Sequence, residues 1–139
     1  MRLESRTVAT YLAAYFAALA VFLIFDILWI SYVMRPIFER HVGDMLLDSP
    51  RMAAAAAFFV VYVAGLMYFA SAPAAAQGVW WLAVVHGAAI GFLAYGTYEL
   101  TNVATLKGWN YNMLVTDIAW GVGLSSVTSL VGYMIMSAR

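Results

Sequence analysis

The stretch VATYLAAYFAALAVFLIFDILWISYVM, Val8 to Met34, holds one acid and no base. It exceeds the roughly 20 helical residues needed to cross a hydrocarbon core of about 30 Å. Three further runs are long enough to do the same: Met52 to Ala72, Gly78 to Asn102 and Met113 to Met136. Lipid satisfies no backbone N–H or C=O, and four strands cannot close a barrel, so only helices fit. The sequence therefore predicts an all-α protein, an integral membrane four-helix bundle running up-down-up-down, with residues 1–139 as one transmembrane domain.

The rest of the composition agrees with lipid as the solvent. Of 139 residues, 65% are hydrophobic and 10% charged, with a mean hydropathy of +0.86. A soluble domain of this size could not bury so much apolar surface. Lys+Arg and Asp+Glu both number 7, so no basic excess is available to neutralise a phosphate backbone, and nucleic-acid binding is not expected. The absence of cysteine excludes disulfides, thiolate metal sites and cysteine nucleophiles. Arg2 and Arg6 precede the first run as in a signal peptide, but that run is too long, carries Asp26 and lacks a small-residue cleavage site. A retained helix is expected.

The connections differ in character. Residues 35–51 hold most of the charge, with an apolar stripe of Pro36, Ile37, Phe38, His41, Val42, Met45 and Leu46 beside Glu39, Arg40 and Asp44. This spacing predicts a short amphipathic helix in the interface between the first and second spans. Ser49-Pro50 predicts an N-cap followed by proline at the first helical position of the second span. Residues 71–78, uncharged and Ala-rich with one proline, predict a tight turn between antiparallel neighbours.

The membrane side holding both termini and the second connection is here called side A, the other side B. Side A carries Arg2, Arg6 and Arg139, whereas side B carries Arg35, Arg40, Arg51 and Lys107, which leans side B toward the cytoplasm. Trp80 and Trp81 are expected at the A interface and Trp109 at the B interface. Gly87 with Gly91, and Gly121 with Ser125 and Ser129, are expected to bring the third and fourth spans into close contact.

Ionisable side chains other than tyrosine are few inside the spans: Asp26, His86, Glu99 and Asp117. A charge at the bilayer centre costs at least about 2.5 kcal/mol on insertion scales, so each requires a partner, a proton or a path to water. Counting from the B ends at about 1.5 Å per residue places all three carboxylates in the B half. They share that layer with Thr97, Tyr98, Thr101, Asn102, Trp109, Asn110, Asn112 and Thr116, while the A half offers almost nothing polar to match. Asp26-Ile27-Leu28-Trp29 and Asp117-Ile118-Ala119-Trp120 repeat a pattern in which acid and indole share a helix face. In each, the indole N–H can serve a neighbouring acceptor while its ring screens the acid from lipid.

Carboxylates gathered in low dielectric cannot all ionise, so the layer is expected to hold a proton or bind a cation. The candidate binding residues are Asp26, Trp29, Tyr98, Glu99, Thr101, Asn102, Trp109, Asp117 and Trp120. The competing expectation is structural: Glu99 snorkels to the headgroups, and the two aspartates pair with neighbouring donors to lock the helices. His86 stands about 140° around the helix from Glu99 and reads as a packing histidine; His41 reads as a surface residue. No HExxH, Walker A, GxGxxG or GxSxG pattern is present, and no histidine pair stands at metal-ligand spacing. No metal and no cofactor are expected.

The segments FDILW (Phe25 to Trp29), YELTNVATLKGW (Tyr98 to Trp109) and TDIAWG (Thr116 to Gly121) resemble a bacterial four-helix inner-membrane family catalogued as a domain of unknown function, DUF2177. The resemblance covers nearly the whole chain and implies the fold and an inner-membrane location; it transfers no catalytic residue. Three functions stay open at this point. One is binding or translocation of a small molecule, cation or proton, for which four helices are few and a homodimer is expected. Another is a lipid-modifying enzyme or its accessory protein, with the acids as general acid and base. The last is a structural or assembly subunit of a larger membrane complex, in which the only partners needed are other subunits and membrane lipids.

Overall fold

The computed structural model describes residues 2–138, with side chains described from Thr7 to Ala138. The side chains of Arg2, Arg6 and Arg139, on which side A's share of the charge count rests, lie outside the described residues. Four helical passes are long and apolar enough to cross a membrane: Thr7–Met45, Met52–Gln77, Trp80–Thr105 and Tyr111–Ser137. Among the described residues there is no strand.

The first two passes are compound. Helix α1 (Arg2–Trp29) continues through a π-helical turn, Ile30–Met34, into α2 (Arg35–Val42). Helix α3 (Met52–Leu66) likewise continues through a π-helical turn, Met67–Ser71, into α4 (Ala72–Gln77). Each π turn ends two residues before a proline, Pro36 and Pro73. Proline lacks an N–H and presses on the carbonyl four residues back. Here that carbonyl, of Tyr32 or Phe69, belongs to the wider π turn, which absorbs both defects and lets the helix run on.

This corrects two expectations. The short amphipathic helix exists, but as an unbroken continuation of the first pass. Residues 71–77 are helix, and the turn is Gly78-Val79, where Gly78 adopts φ +68°. Gly78 N–H donates to Ala75 O (3.2 Å) and Val79 N–H to Ala74 O (3.1 Å), the paired bonds of a glycine-terminated helix. The start of α3 also differs: it begins at Met52 after Arg51, with no side-chain cap, because Pro50 lies outside the helix and its carbonyl accepts from Met52 N–H (3.0 Å).

Helix α5 (Trp80–Thr105) ends a turn beyond the expected Asn102, and α6 (Tyr111–Ser137) returns to side A. Asn110 caps α6, its Oδ1 accepting from Asn112 N–H (3.0 Å) and Met113 N–H (3.1 Å), which satisfies two of the helix's free donors. Helix α6 packs along α5 and against α1. The contact is made by the small residues that the spacing picked out. A Cβ on Gly91 would stand 2.5 Å from Gly121 O, and one on Gly87 2.6 Å from Ser129 Oγ; such backbone proximity drives helix association in lipid. Phe22, Tyr62, Val63, Leu66, Met67 and Leu124 fill the centre, while Phe16, Val61 and Leu93 point outward toward the hydrocarbon.

Candidate functional site

The two Asp-Ile-x-Trp segments meet, because α1 and α6 run antiparallel and bring Asp26 and Asp117 to the same depth. Their donors are exchanged. Trp29 Nε1–H donates to Asp117 Oδ1 and Trp120 Nε1–H to Asp26 Oδ1, each at 3.3 Å. The indoles stack between the acids with ring centroids 4.4 Å apart and planes 4° from parallel. Asp26 also accepts from the Tyr95 hydroxyl on α5 (3.4 Å). Both aspartates are buried.

Glu99 is fully buried, which overturns its expected excursion to the headgroups. Since α5 runs on to Thr105, Glu99 lies deeper than a span ending at Asn102 implied. The turn after α5 also folds Trp109 back over it, with Trp109 Nε1–H donating to Glu99 Oε2 at 2.7 Å. Trp109 is accordingly half-buried, packed against Phe38 of α2 (5.1 Å between centroids) and edge-on to Tyr98 (5.7 Å). Gly108 makes this fold-back feasible. Its φ is +87°, and a Cβ there would stand 2.4 Å from His41 O, a position open to glycine alone.

The buried Glu99 and Asp117 carboxyls lie close enough to interact electrostatically. Glu99 Oε1 has no hydrogen-bond partner and is out of reach of bulk water. A bond between two carboxyl groups requires a proton on one of them. Among the described residues the single ion pair is Arg35–Glu39, exposed on α2 at 2.8 Å, so no described cation pairs with the acids. Nor do the described residues contain a His, Cys, Asp and Glu group able to hold a metal ion.

Of the residues singled out by sequence, Asp26, Trp29, Glu99, Trp109, Asp117 and Trp120 converge. Tyr98 touches Trp109 from a half-exposed position, and Asn102 is half-buried one turn farther along α5. Thr101 is exposed and bonds back to the carbonyls of Thr97 and Tyr98 on its own helix. His86 is half-buried, and His41 is exposed with Nδ1 against Ile37 O (2.9 Å).

Sequence reading missed the polar residues on the A side of the acids. Tyr62 and Ser125 share a buried hydrogen bond (2.8 Å), Ser71 Oγ–H donates to Ser129 O (2.8 Å), and Ser71, Ser125, Thr128 and Ser129 are all fully buried. The expectation of an A half with almost nothing polar is corrected. The signal was present in α6, where Asp117, Gly121, Ser125 and Ser129 recur every four residues and so share one face.

Neither a curated protein nor a solved structure matches the chain. A family model described as "Predicted membrane protein (DUF2177)" matches residues 11–134, a range containing both Asp-Ile-x-Trp segments, Glu99 and Trp109. With four apolar passes and a match over nearly its whole length, the chain belongs to the DUF2177 family of multi-pass membrane proteins.

Proposed function

We propose that this chain is a proton-handling membrane protein whose Glu99–Asp117 pair takes up and releases a proton toward side B. The observation that carries the reading is the proximity of two buried carboxyls, one with an oxygen that has no hydrogen-bond partner, with no compensating cation among the described residues. Two anions side by side in low dielectric repel strongly, and one proton both removes the repulsion and supplies the missing hydrogen bond. Trp29 and Trp109 each donate to one member of the pair and keep the carboxyls in register, while α2, through Phe38, covers Trp109 from side B. Movement of that cover would admit water. A homodimer, a bacterial inner membrane and a cytoplasmic side B complete the proposal, the last supported by Arg35, Arg40, Arg51 and Lys107.

Infrared spectroscopy of the protein in lipid tests this directly. A carboxylic-acid C=O band is expected at neutral pH, lost in both Asp117→Asn and Glu99→Gln and retained in Asp26→Asn. Absence of the band from the unsubstituted protein, or its survival in both pair variants, overturns the reading.

A lipid-directed role is a second reading, favoured by a groove of about 340 Å³ on the outer face of α5, lined by Phe92, Leu93, Thr97, Leu100 and Ala104. Its last lining residue, Ala104, stands three positions before Lys107 in the sequence, and Lys107 borders a side-B cavity of about 300 Å³ with Arg40 and His41. Groove and cavity suit an acyl chain and an anionic headgroup. None of the three acids lines either, so the groove supports lipid contact more than lipid chemistry.

A further inference from the structure

The side-B cavity takes no part in the acid layer, and its walls come from two elements. Arg40, His41 and Asp44 stand on the last turn of α2 and the 3₁₀ turn Gly43–Met45 that follows it, and Lys107 stands on the turn after α5. The helical run from Thr7 to Met34 already measures about 42 Å at 1.5 Å per residue, more than a hydrocarbon core of about 30 Å. Lys107 likewise lies past the 26 residues of α5, about 39 Å of helix. The cavity therefore sits at headgroup depth on side B.

Both signs of charge line it without cancelling. Arg35 and Glu39, four residues apart within α2, pair at 2.8 Å, the spacing at which helical ions meet. Arg40 and Asp44 have the same spacing and form no ion pair, because the backbone leaves the α-helix between them: Val42 takes φ −135° and ψ 24°. Lys107 is likewise in no ion pair with a described residue, and Glu39, also on the wall, is engaged by Arg35. The cavity thus offers two cations and the Asp44 carboxylate, all exposed, and the carbonyls that end α2 add to the negative side. A purely anionic headgroup would leave Asp44 opposed, whereas a phosphodiester joined to a primary ammonium answers both signs.

The apolar groove on α5 suits the rest of such a molecule. Helix α5 runs toward side B, so from Ala104 back to Phe92 the groove descends about 18 Å into the core, the direction an acyl chain takes from its headgroup. Thr97 and Thr101 bond their hydroxyls back to carbonyls of α5, so neither presents a spare O–H to the chain.

We propose that the side-B cavity binds the headgroup of phosphatidylethanolamine, with the phosphate between Arg40 and Lys107, the ammonium on Asp44, and one acyl chain along the α5 groove. The proposal rests on the lipid-directed reading of that groove and requires nothing of the carboxyl pair. A guanidinium gives a phosphate two parallel N–H bonds and a lysine gives it a point charge. The ethanolamine ammonium brings three N–H donors, which Asp44 accepts. Phosphatidylglycerol has no cation for Asp44, and the choline of phosphatidylcholine has no N–H. Because the walls belong to different elements, the bound lipid ties α2, which covers Trp109, to the turn that carries Trp109.

The test is native mass spectrometry of the purified full-length protein released from micelles that hold phosphatidylethanolamine, phosphatidylglycerol or phosphatidylcholine with identical acyl chains. Phosphatidylethanolamine is expected to bind about tenfold more tightly than the other two. Arg40→Gln and Lys107→Gln should each weaken it by about tenfold, the equivalent of one charge-assisted hydrogen bond of roughly 1.4 kcal/mol. Arg51→Gln, which removes an exposed side-B cation off the cavity wall, should bind as the unsubstituted protein does. Asp44→Asn is the decisive variant: the side chain is exposed and in no ion pair, so folding should be unharmed, and the preference over phosphatidylglycerol should vanish. A merely solvated carboxylate would leave that preference unchanged. Equal retention of the three lipids, a preference for phosphatidylglycerol, or selectivity that survives Asp44→Asn overturns the headgroup site and leaves lipid contact at the groove standing. Retention of no lipid removes the headgroup site and the lipid-directed reading together.

Discussion

Trp29 and Trp120 stack face to face, and each sends its N–H to the aspartate that belongs to the other's sequence motif. A local two-fold arrangement follows from antiparallel packing of α1 and α6. Two matching four-residue segments running in opposite directions present the same face to each other, and exchange is then the way both acids acquire a donor. The stack adds about 0.5–1.5 kcal/mol beyond the area it buries.

The two indoles are not equivalent: Asp26 keeps the Tyr95 hydroxyl as a second donor, whereas the other neighbour of Asp117 is the Glu99 carboxyl, a donor only while it holds the shared proton. Trp29→Phe is expected to destabilise the protein by about 1–3 kcal/mol, the range for orphaning a buried polar group, and Trp120→Phe by less. Unfolding in mixed micelles, followed by far-UV circular dichroism, measures both. The reverse order would mean that the Tyr95 bond contributes little.

The glycines of α6 separate close contact from mere helix composition. A Cβ at Gly121 would fall within 2.2 Å of the Tyr95 ring, whereas one at Gly123 meets nothing within 4 Å. Gly121→Ala should therefore push α5 and α6 apart and cost about 1–3 kcal/mol, as overpacking does. Gly123→Ala should be neutral or stabilising by up to about 1 kcal/mol, since alanine is the better helix former. Equal effects in the same unfolding assay would rule out Gly121 as a contact point.

Gly108→Ala probes the fold-back that closes side B. Positive φ and the neighbouring His41 carbonyl both oppose a side chain there, so the turn must shift and carry Trp109 away from Glu99. A red shift of the Trp109 emission is expected, measured with the other four tryptophans replaced by phenylalanine. Gly78→Ala also meets positive φ but no atom within 4 Å, and should leave that emission where it is.

The four passes and the acid layer were legible because hydropathy and depth along a helix are properties of chain position alone. Which face of a pass looks inward was legible only where a motif marked it, as Asp26 with Trp29 and Asp117 with Trp120 did. Tyr62 and Tyr95 gave no such mark: aromatic residues occur all round these helices, and tyrosine is as much at home facing lipid near an interface as facing a core. Ser125 and Ser129 were recognised as small but not as polar. Pro36 and Pro73 were misleading for a different reason. A proline in an apolar run ordinarily ends a helix, and the π turn that tolerates it is a backbone adjustment without a residue signature.

The donors around Asp26 offer a stringent check on the site's architecture. Trp120→Phe and Tyr95→Phe each remove one of its two hydrogen bonds and leave the other, so either alone should be mild. Together they leave a buried carboxyl with neither donor, and the combined loss should exceed the sum by about 0.5–3 kcal/mol, the coupling typical of groups that share one network. Asp26→Asn in the double-variant background should recover part of that loss, because a neutral amide is less costly than a carboxylate to bury. Strict additivity in the cycle would mean that the two donors act on Asp26 independently and that the acid draws its stabilisation from elsewhere.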